Sequence, residues 1–293
     1  MDGAKQDVAG MLKGKVAIVT GGSTGIGEAT SKLFAKQGAN VVVNGLPGDP
    51  VDAVVGEILD AGGIAVAAIC DVGTVVGAER CVTTALESFG QLDILVANAG
   101  VFPELAEIQD FPLERFNELM HTNVEGVYLT TRAAIPELHK TNGCIVALGS
   151  EVGLVGFAQG ASYSATKGWV TAFIRSLAAE QAKYGVRANV VAPGPIDTEM
   201  TRPSKGTMGV VDAFMAVKGT ALGRRGTPEE VANVIMFLAS DLASFVTGAI
   251  YTVDGGSTAS QGLPGFEAGR DAKRVPKGTV DLKHQHEGRG TLR

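Results

Sequence analysis

Four residue types near the middle of the chain suit proton transfer at an oxygen atom: Asn123, Ser150, Tyr163 and Lys167. Tyr163 and Lys167 are four apart in a segment of helical spacing, so both side chains project from one face, about a turn apart. A phenol has an ordinary pKa near ~10 and is a poor base at neutral pH. A nearby ammonium favours the phenolate. Each unit of pKa equals ~1.4 kcal/mol, so bringing the phenol towards neutrality takes a few kcal/mol. General acid–base work then contributes ~10²–10⁴-fold. Tyr-x-x-x-Lys is common on ordinary helices, so the pair alone is a weak signal. Ser150 strengthens it, because it ends the apolar run Cys144–Ser150, thirteen residues earlier. A hydroxyl there can donate to a carbonyl oxygen and stabilise a developing alkoxide. Asn123 sits inside a long stretch of helical period. Asn is a middling helix former, so it marks a kink or a bound water there, or is an ordinary polar helix residue.

These side chains need strands and helices to hold them. Lys15–Thr20 is a short β-branched run that ends in a glycine cluster, and residues 40–44, 64–70, 92–97, 143–149, 186–192 and 249–253 repeat the pattern. Each is apolar on both faces, as buried parallel strands are. Helical spacing fills the intervals at about 25–36, 49–61, 74–89, 111–137, 161–184 and 228–240. Strict alternation predicts an α/β fold, a single doubly wound parallel sheet with helices on both faces. Thr227, Pro228, Glu229 and Glu230 form a helix-start signature that looks structural.

The chain has 293 residues, 45% of them hydrophobic and 19% charged, which is globular composition. Its 40 Gly are about twice the ordinary share of ~7% and lie between apolar runs, which excludes collagen and low-complexity sequence. The three Cys (70, 81 and 144) are far apart in sequence with no CxxC, which argues against a disulfide framework or a zinc site and fits a reducing compartment. His121, His139, His284 and His286 form no metal-spaced set, so no metal is expected. The first twelve residues lack an apolar signal region, no apolar run is long enough to span a membrane, and the net charge of −6 gives no basic footprint for nucleic acid. A cytoplasmic protein is expected. One domain is expected over 1–260. Residues 261–293 differ: seven basic and four acidic residues give the tail +3 and leave −9 for the rest. The tail reads as a flexible extension or a subunit-contacting arm.

Thr20-Gly-Gly-Ser-Thr-Gly-Ile-Gly27 follows the first strand and opens the first helix. Gly21, Gly25 and Gly27 permit a tight turn and close approach of a pyrophosphate to the backbone. The helix N-terminus then offers free N–H groups and a positive dipole end to phosphates. This strand-to-helix context is what gives a glycine triplet meaning as a nucleotide site.

The glycine turn, Asp71, Asn98-Ala-Gly100, Asn123, Ser150, Tyr163-Ser-Ala-Thr-Lys167, Pro193-Gly194 and Val253-Asp-Gly-Gly256, in that order, resemble the short-chain dehydrogenase/reductase family across residues 12–258. The resemblance implies a Rossmann-type sheet of seven strands and a nicotinamide cofactor held by Gly21, Ser23, Thr24, Gly25, Ile26 and Gly27. It also implies contacts from Asp71 and Val72 to the adenine, from Asn98, Ala99 and Gly100 to the ribose, and from Pro193, Gly194, Ile196 and Thr198 to the carboxamide. Asp71 can equally be a turn or N-cap residue, and the Pro193 segment a plain turn. Tyr163 would act as acid/base, with Ser150 orienting the substrate oxygen. Lys167 would bind ribose and lower the Tyr163 pKa, and Asn123 would hold a water linked to the lysine.

An acid after the second strand marks NAD specificity. The family's acid position falls here on Gly45, while Thr24 stands where a base would favour NADP, and no Lys or Arg occurs from 37 to 79. Asp49, Asp52, Glu57 and Asp60 would repel a 2′-phosphate. NAD is therefore preferred to NADP. The substrate is expected to be a secondary alcohol or ketone bound at Ser150, Glu151 and Tyr163. Glu151 departs from the small or apolar residue usual beside the serine. It either meets a polar or cationic substrate group or points to solvent. The resemblance implies that residues 199–222, with Met200, Met208, Phe214 and Met215, form a substrate lid; an amphipathic core helix is the other reading, and the two can both hold. Arg202, Arg224 and Arg225 could pair with an anionic substrate or be exposed loop cations. The alternatives are a 3-oxoacyl thioester reductase using NADP and a non-catalytic dinucleotide-binding scaffold. An epimerase or dehydratase is disfavoured by the glycine spacing and the absence of a larger C-terminal domain. The family's habit of assembling through its long helices implies a homo-oligomer, a tetramer or dimer.

Overall fold

Strand β1 (Val16–Val19) puts Val16 and Ile18 into one core and Ala17 and Val19 into the other. The same rule builds β2 (Asn40–Gly45), β4 (Ile94–Ala97), β5 (Cys144–Leu148) and β6 (Arg187–Pro193), buried on both faces almost throughout. The edges are β3 (Ile64–Ile69), whose end residues are 52% and 40% exposed, and β7 (Ile250–Val253). The computed structural model describes residues 10–102, 105–199 and 219–259. The segment with Met200, Thr201, Arg202, Met208, Val210, Val211, Phe214 and Met215, and the extension 261–293, lie outside the described residues.

All seven strands pair in parallel, in the order β3-β2-β1-β4-β5-β6-β7. Helices α1 (Gly25–Lys36), α2 (Val51–Asp60) and α7 (Pro228–Ala239) cover one face with Phe34, Ile58 and Ile235. Helices α3 (Val75–Phe89), α5 (Gly126–Thr141) and α6 (Ala161–Gln181) cover the other with Cys81, Ala134 and Ile174. The sheet is thus doubly wound and Rossmann-type, as expected. Strand order reverses between β1 and β4, which opens a crevice at their carboxyl ends.

The region expected as one helix over 111–137 is broken. It comprises α4 (Leu113–Leu119), a π-helical turn (Met120–Glu125) and α5. Asn123 sits in the π turn, so the kink is real and has a local cause. The start of α7 matches its sequence signature: Thr227 Oγ1 accepts from Glu230 N–H, and the Glu230 carboxylate accepts from Thr227 N–H at 2.9 Å. The cysteines need a correction in space. Cys70 and Cys81 stand with their sulfurs 3.5 Å apart, because β3 delivers one and α3 packs the other over it. Among the described residues no helix is long and apolar enough to cross a membrane.

Candidate functional site

The glycine turn is held from three sides. Asn44 Oδ1 accepts from Gly21 N–H at 3.2 Å, and the Asn44 carbonyl accepts from Gly22 N–H at 2.7 Å. Asn98 Nδ2 donates to the carbonyls of Thr20 and Gly21 at 2.8 and 3.0 Å. Thr20 Oγ1 accepts from the N–H groups of Asn98 and Ala99, both at 3.0 Å. Gly21 (φ +58°) and Gly25 (φ +53°) adopt left-handed backbone, and a Cβ on Gly27 would lie 1.9 Å from the Gly21 carbonyl. The first helical bond runs from Glu28 N–H to the Thr24 carbonyl, so the N–H groups of Gly25, Ile26 and Gly27 lead the helix. Ser23 is buried and Thr24 exposed, with no side-chain cap from Thr24.

Among the other expected cofactor positions, Ala99 and Thr198 meet this turn. Thr198 reaches it from beyond β6, since a Cβ on Gly25 would lie 3.2 Å from Thr198 Cγ2. Pro193 ends β6, and Gly194 N–H donates to the Val253 carbonyl at 3.0 Å. Ile196 is buried and bridges to Gly226. Val72, between β3 and α3, is buried against the start of α5, with its Cγ2 3.4 Å from where a Gly126 Cβ would sit. A bare, positively polarised helix start, with backbone too tight for any side chain at Gly27, fits a pyrophosphate.

Asn123, Ser150, Tyr163 and Lys167 converge at the carboxyl ends of β4 and β5. Asn123 is fully buried; its Oδ1 accepts from Val101 N–H at 2.8 Å, and its Nδ2 donates to the Val101 carbonyl at 3.0 Å. A Cβ on Gly100 would lie 3.2 Å from Asn123 Oδ1 and 3.4 Å from Lys167 Nζ, so the Gly100 backbone lies close to both side chains. The Lys167 ammonium donates to the Leu148 carbonyl at 2.9 Å and lies 5.9 Å from the Tyr163 ring centre. Ser150 starts a short 3₁₀ turn, and its hydroxyl donates to the Tyr163 phenol.

The electrostatics differ from the sequence expectation. Burial pushes the Tyr163 phenol up to about 12; the Ser150 hydrogen bond opposes this and the Glu151 charge adds to it. Burial pushes the Lys167 ammonium down to about 8. The lysine points at a carbonyl rather than at the phenol, so the protein alone does not produce the lowered phenol pKa expected of the pair.

Asp71 makes a turn and an ion pair together. Its Oδ1 accepts from Gly73 N–H at 2.9 Å, and its Oδ2 meets His121 Nε2 at 2.8 Å. Burial alone would raise the Asp71 carboxyl, but these hydrogen bonds outweigh it and hold the pKa below the usual value. The Asp71 hydrogen bond raises His121 in turn. Glu151 does not point freely to solvent. It is half-buried and accepts from the Ser257 hydroxyl, and burial raises its pKa with help from the Asp254 charge. Arg224 pairs with Glu230 at 2.6 Å on the surface.

Sequence reasoning missed several supporting residues. Asn44 carried a readable signal, a polar residue inside an apolar strand run. Phe102, edge-on to Tyr163 with ring centres 4.7 Å apart, and His121, fifty residues from Asp71, carried none.

A family model described as Enoyl-(Acyl carrier protein) reductase matches residues 21–258. An uncharacterized oxidoreductase of Methylorubrum extorquens is 43% identical over 249 residues, 84% of this chain and 98% of that protein. Cis-4-hydroxycyclohexanecarboxylate dehydrogenase of Sinomonas cyclohexanicum is 40% identical over 246 residues, 84% of this chain and 97% of that protein. The crystal structure of a short-chain type dehydrogenase/reductase from Mycobacterium marinum superposes with a TM-score of 0.78 at 33% identity, covering 85% of this chain and 97% of that one. With its sheet order, glycine turn and Tyr–Lys pair, the chain belongs to the short-chain dehydrogenase/reductase family of oxidoreductases.

Proposed function

We propose that the protein is a nicotinamide-dinucleotide-dependent dehydrogenase/reductase of secondary alcohols and ketones, working with NAD as a homo-oligomer. The observation that carries this reading is the convergence of Ser150, Tyr163, Lys167 and Asn123 beside the crevice at the glycine turn. The likeness to a dehydrogenase of a ring-borne secondary alcohol supports the substrate class.

The turn residues Gly21, Ser23, Thr24, Gly25, Ile26 and Gly27 would hold the pyrophosphate. Asp71 and Val72 would flank the adenine, and Asn98, Ala99 and Gly100 the ribose. Pro193, Gly194, Ile196 and Thr198 would fix the carboxamide end. Bound there, the dinucleotide supplies the hydride acceptor for alcohol oxidation, or the hydride donor for ketone reduction. Tyr163 is the group that moves the proton. As a neutral phenol it would donate its proton to the oxygen of a ketone as the alcohol forms, leaving the phenolate, and in oxidation that phenolate would take the hydroxyl proton. Ser150 donates to the same substrate oxygen and fixes its position. Lys167, held by the Leu148 carbonyl, places a positive charge beside the ribose and near the phenol. Asn123 fixes the Val101 backbone and, with Lys167, borders the space above Gly100 where a relay water would sit. Glu151 and Phe102 would wall the substrate pocket.

The test is Tyr163→Phe assayed over a panel of secondary alcohols and ketones. It should lose at least ~10²-fold in kcat while keeping NADH binding, read by fluorescence titration. Near wild-type turnover would refute the assignment. Nucleotide binding by the wild type without turnover on any substrate would favour a non-catalytic scaffold.

A further inference from the structure

We propose that Asp49, in the loop between β2 and α2, binds the adenosine ribose hydroxyls in place of the missing strand-end acid and makes the site selective for NAD. This rests on the dinucleotide reading above and names the residue responsible for the cofactor choice.

An acid on the last residue of β2 would serve that purpose, but that residue is Gly45, and the surrounding packing leaves no space for a side chain. A Cβ there would lie 2.6 Å from Val51 Cγ2, 2.9 Å from Ser23 Oγ and 3.0 Å from Asp49 Oδ2. The Asp49 carboxylate thus lies in the volume that a residue-45 carboxylate would fill. It is fixed there, because Asp49 Oδ2 accepts from Leu46 N–H at 2.7 Å. Ser23, which borders the same volume, belongs to the glycine turn, so the carboxylate stands next to the pyrophosphate cradle. A ribose hydroxyl brought to this position finds a charged acceptor. A 2′-phosphate finds a like charge there. No Lys or Arg occurs from 37 to 79, and Lys32 on α1 is engaged by Glu28 and Glu57, each at 2.5 Å. Asp49 is exposed and the one described bond of its side chain is local, so its replacement should leave folding intact.

The experiment is calorimetric titration of the full chain with NAD and with NADP, separately, on wild type, Asp49→Asn and the control Asp52→Asn, with thermal melts of each protein alone. Wild type should bind NAD more tightly than NADP. Asp49→Asn should weaken NAD by about 10–100-fold, leave NADP unchanged or tighter, and melt like the wild type. Asp52→Asn should keep the wild-type NAD affinity. An unchanged ratio in Asp49→Asn, an equal loss in Asp52→Asn, or a wild type that prefers NADP would each overturn the proposal and leave the dinucleotide site standing. A wild type that binds neither nucleotide would overturn both.

Discussion

At Tyr163 two effects compete, and burial outweighs the rest. Its phenol is pushed up to about 12, so at neutral pH it carries its proton and is ready to donate. Lys167 is burdened the other way, down to about 8 from an ordinary 10.5. The linkage sign follows from proton counting. Between the folded value near 8 and the unfolded value near 10.5, the unfolded chain binds more protons at this site, so stability rises with pH through that window. Below it the cost of the buried ammonium is full, up to about 3 kcal/mol. In denaturant melts, the stability of wild type relative to Lys167→Met should improve by roughly 2–3 kcal/mol from pH 7 to pH 10. A pH-independent difference would show that the ammonium is not the buried, desolvated group described.

Among the elements, the π turn between α4 and α5 matters most for the site. It presents Asn123 inward to Val101, and it presents His121 to Asp71 at the end of β3. The ion pair joins two segments fifty residues apart, and both side chains keep more than a third of their surface. Its worth is therefore that of a surface pair, about 1 kcal/mol or less. His121 has a raised pKa, so its share is full below about 6.5 and fades as pH rises through the folded value. Asp71 has a lowered pKa, so its share is full above about 3.8 and is lost as pH falls through its folded value. His121→Gln should cost a few degrees of Tm at pH 5 and much less at pH 9. The reverse order would contradict the pairing.

On the scale of the whole molecule, α5 and α6 carry an aromatic stripe on their outer side. Trp169 stacks on Phe173 at 4.7 Å, and Tyr128, 46% exposed, tilts against Phe173 at 6.0 Å. A partly exposed aromatic cluster on adjacent helices suits an interface between copies of the chain. In light scattering the wild type should run as an oligomer, and Phe173→Arg should shift mass towards monomer. A wild type that is monodisperse monomer would refute the assembly.

The sequence by itself determined the β/α alternation, because strands buried on both faces must be apolar on both. It also placed the glycine turn and the Ser–Tyr–Lys set, because chemistry at strand ends needs particular residue types at fixed spacing. It set Asn123 in a stretch of helical period, and only the structure shows the π turn that breaks it. It could not determine what lies near what across the sheet. Asp71 finds His121, Cys70 finds Cys81, Glu151 finds Ser257, and Asp49 covers Gly45 only when distant or loop-connected segments pack. Nor could spacing reveal that Lys167 aims at a carbonyl and that burial raises the phenol. Residue type and spacing along an element are local properties of the chain. Desolvation and contact between elements come only from tertiary packing, and here they decide the charge state of the site.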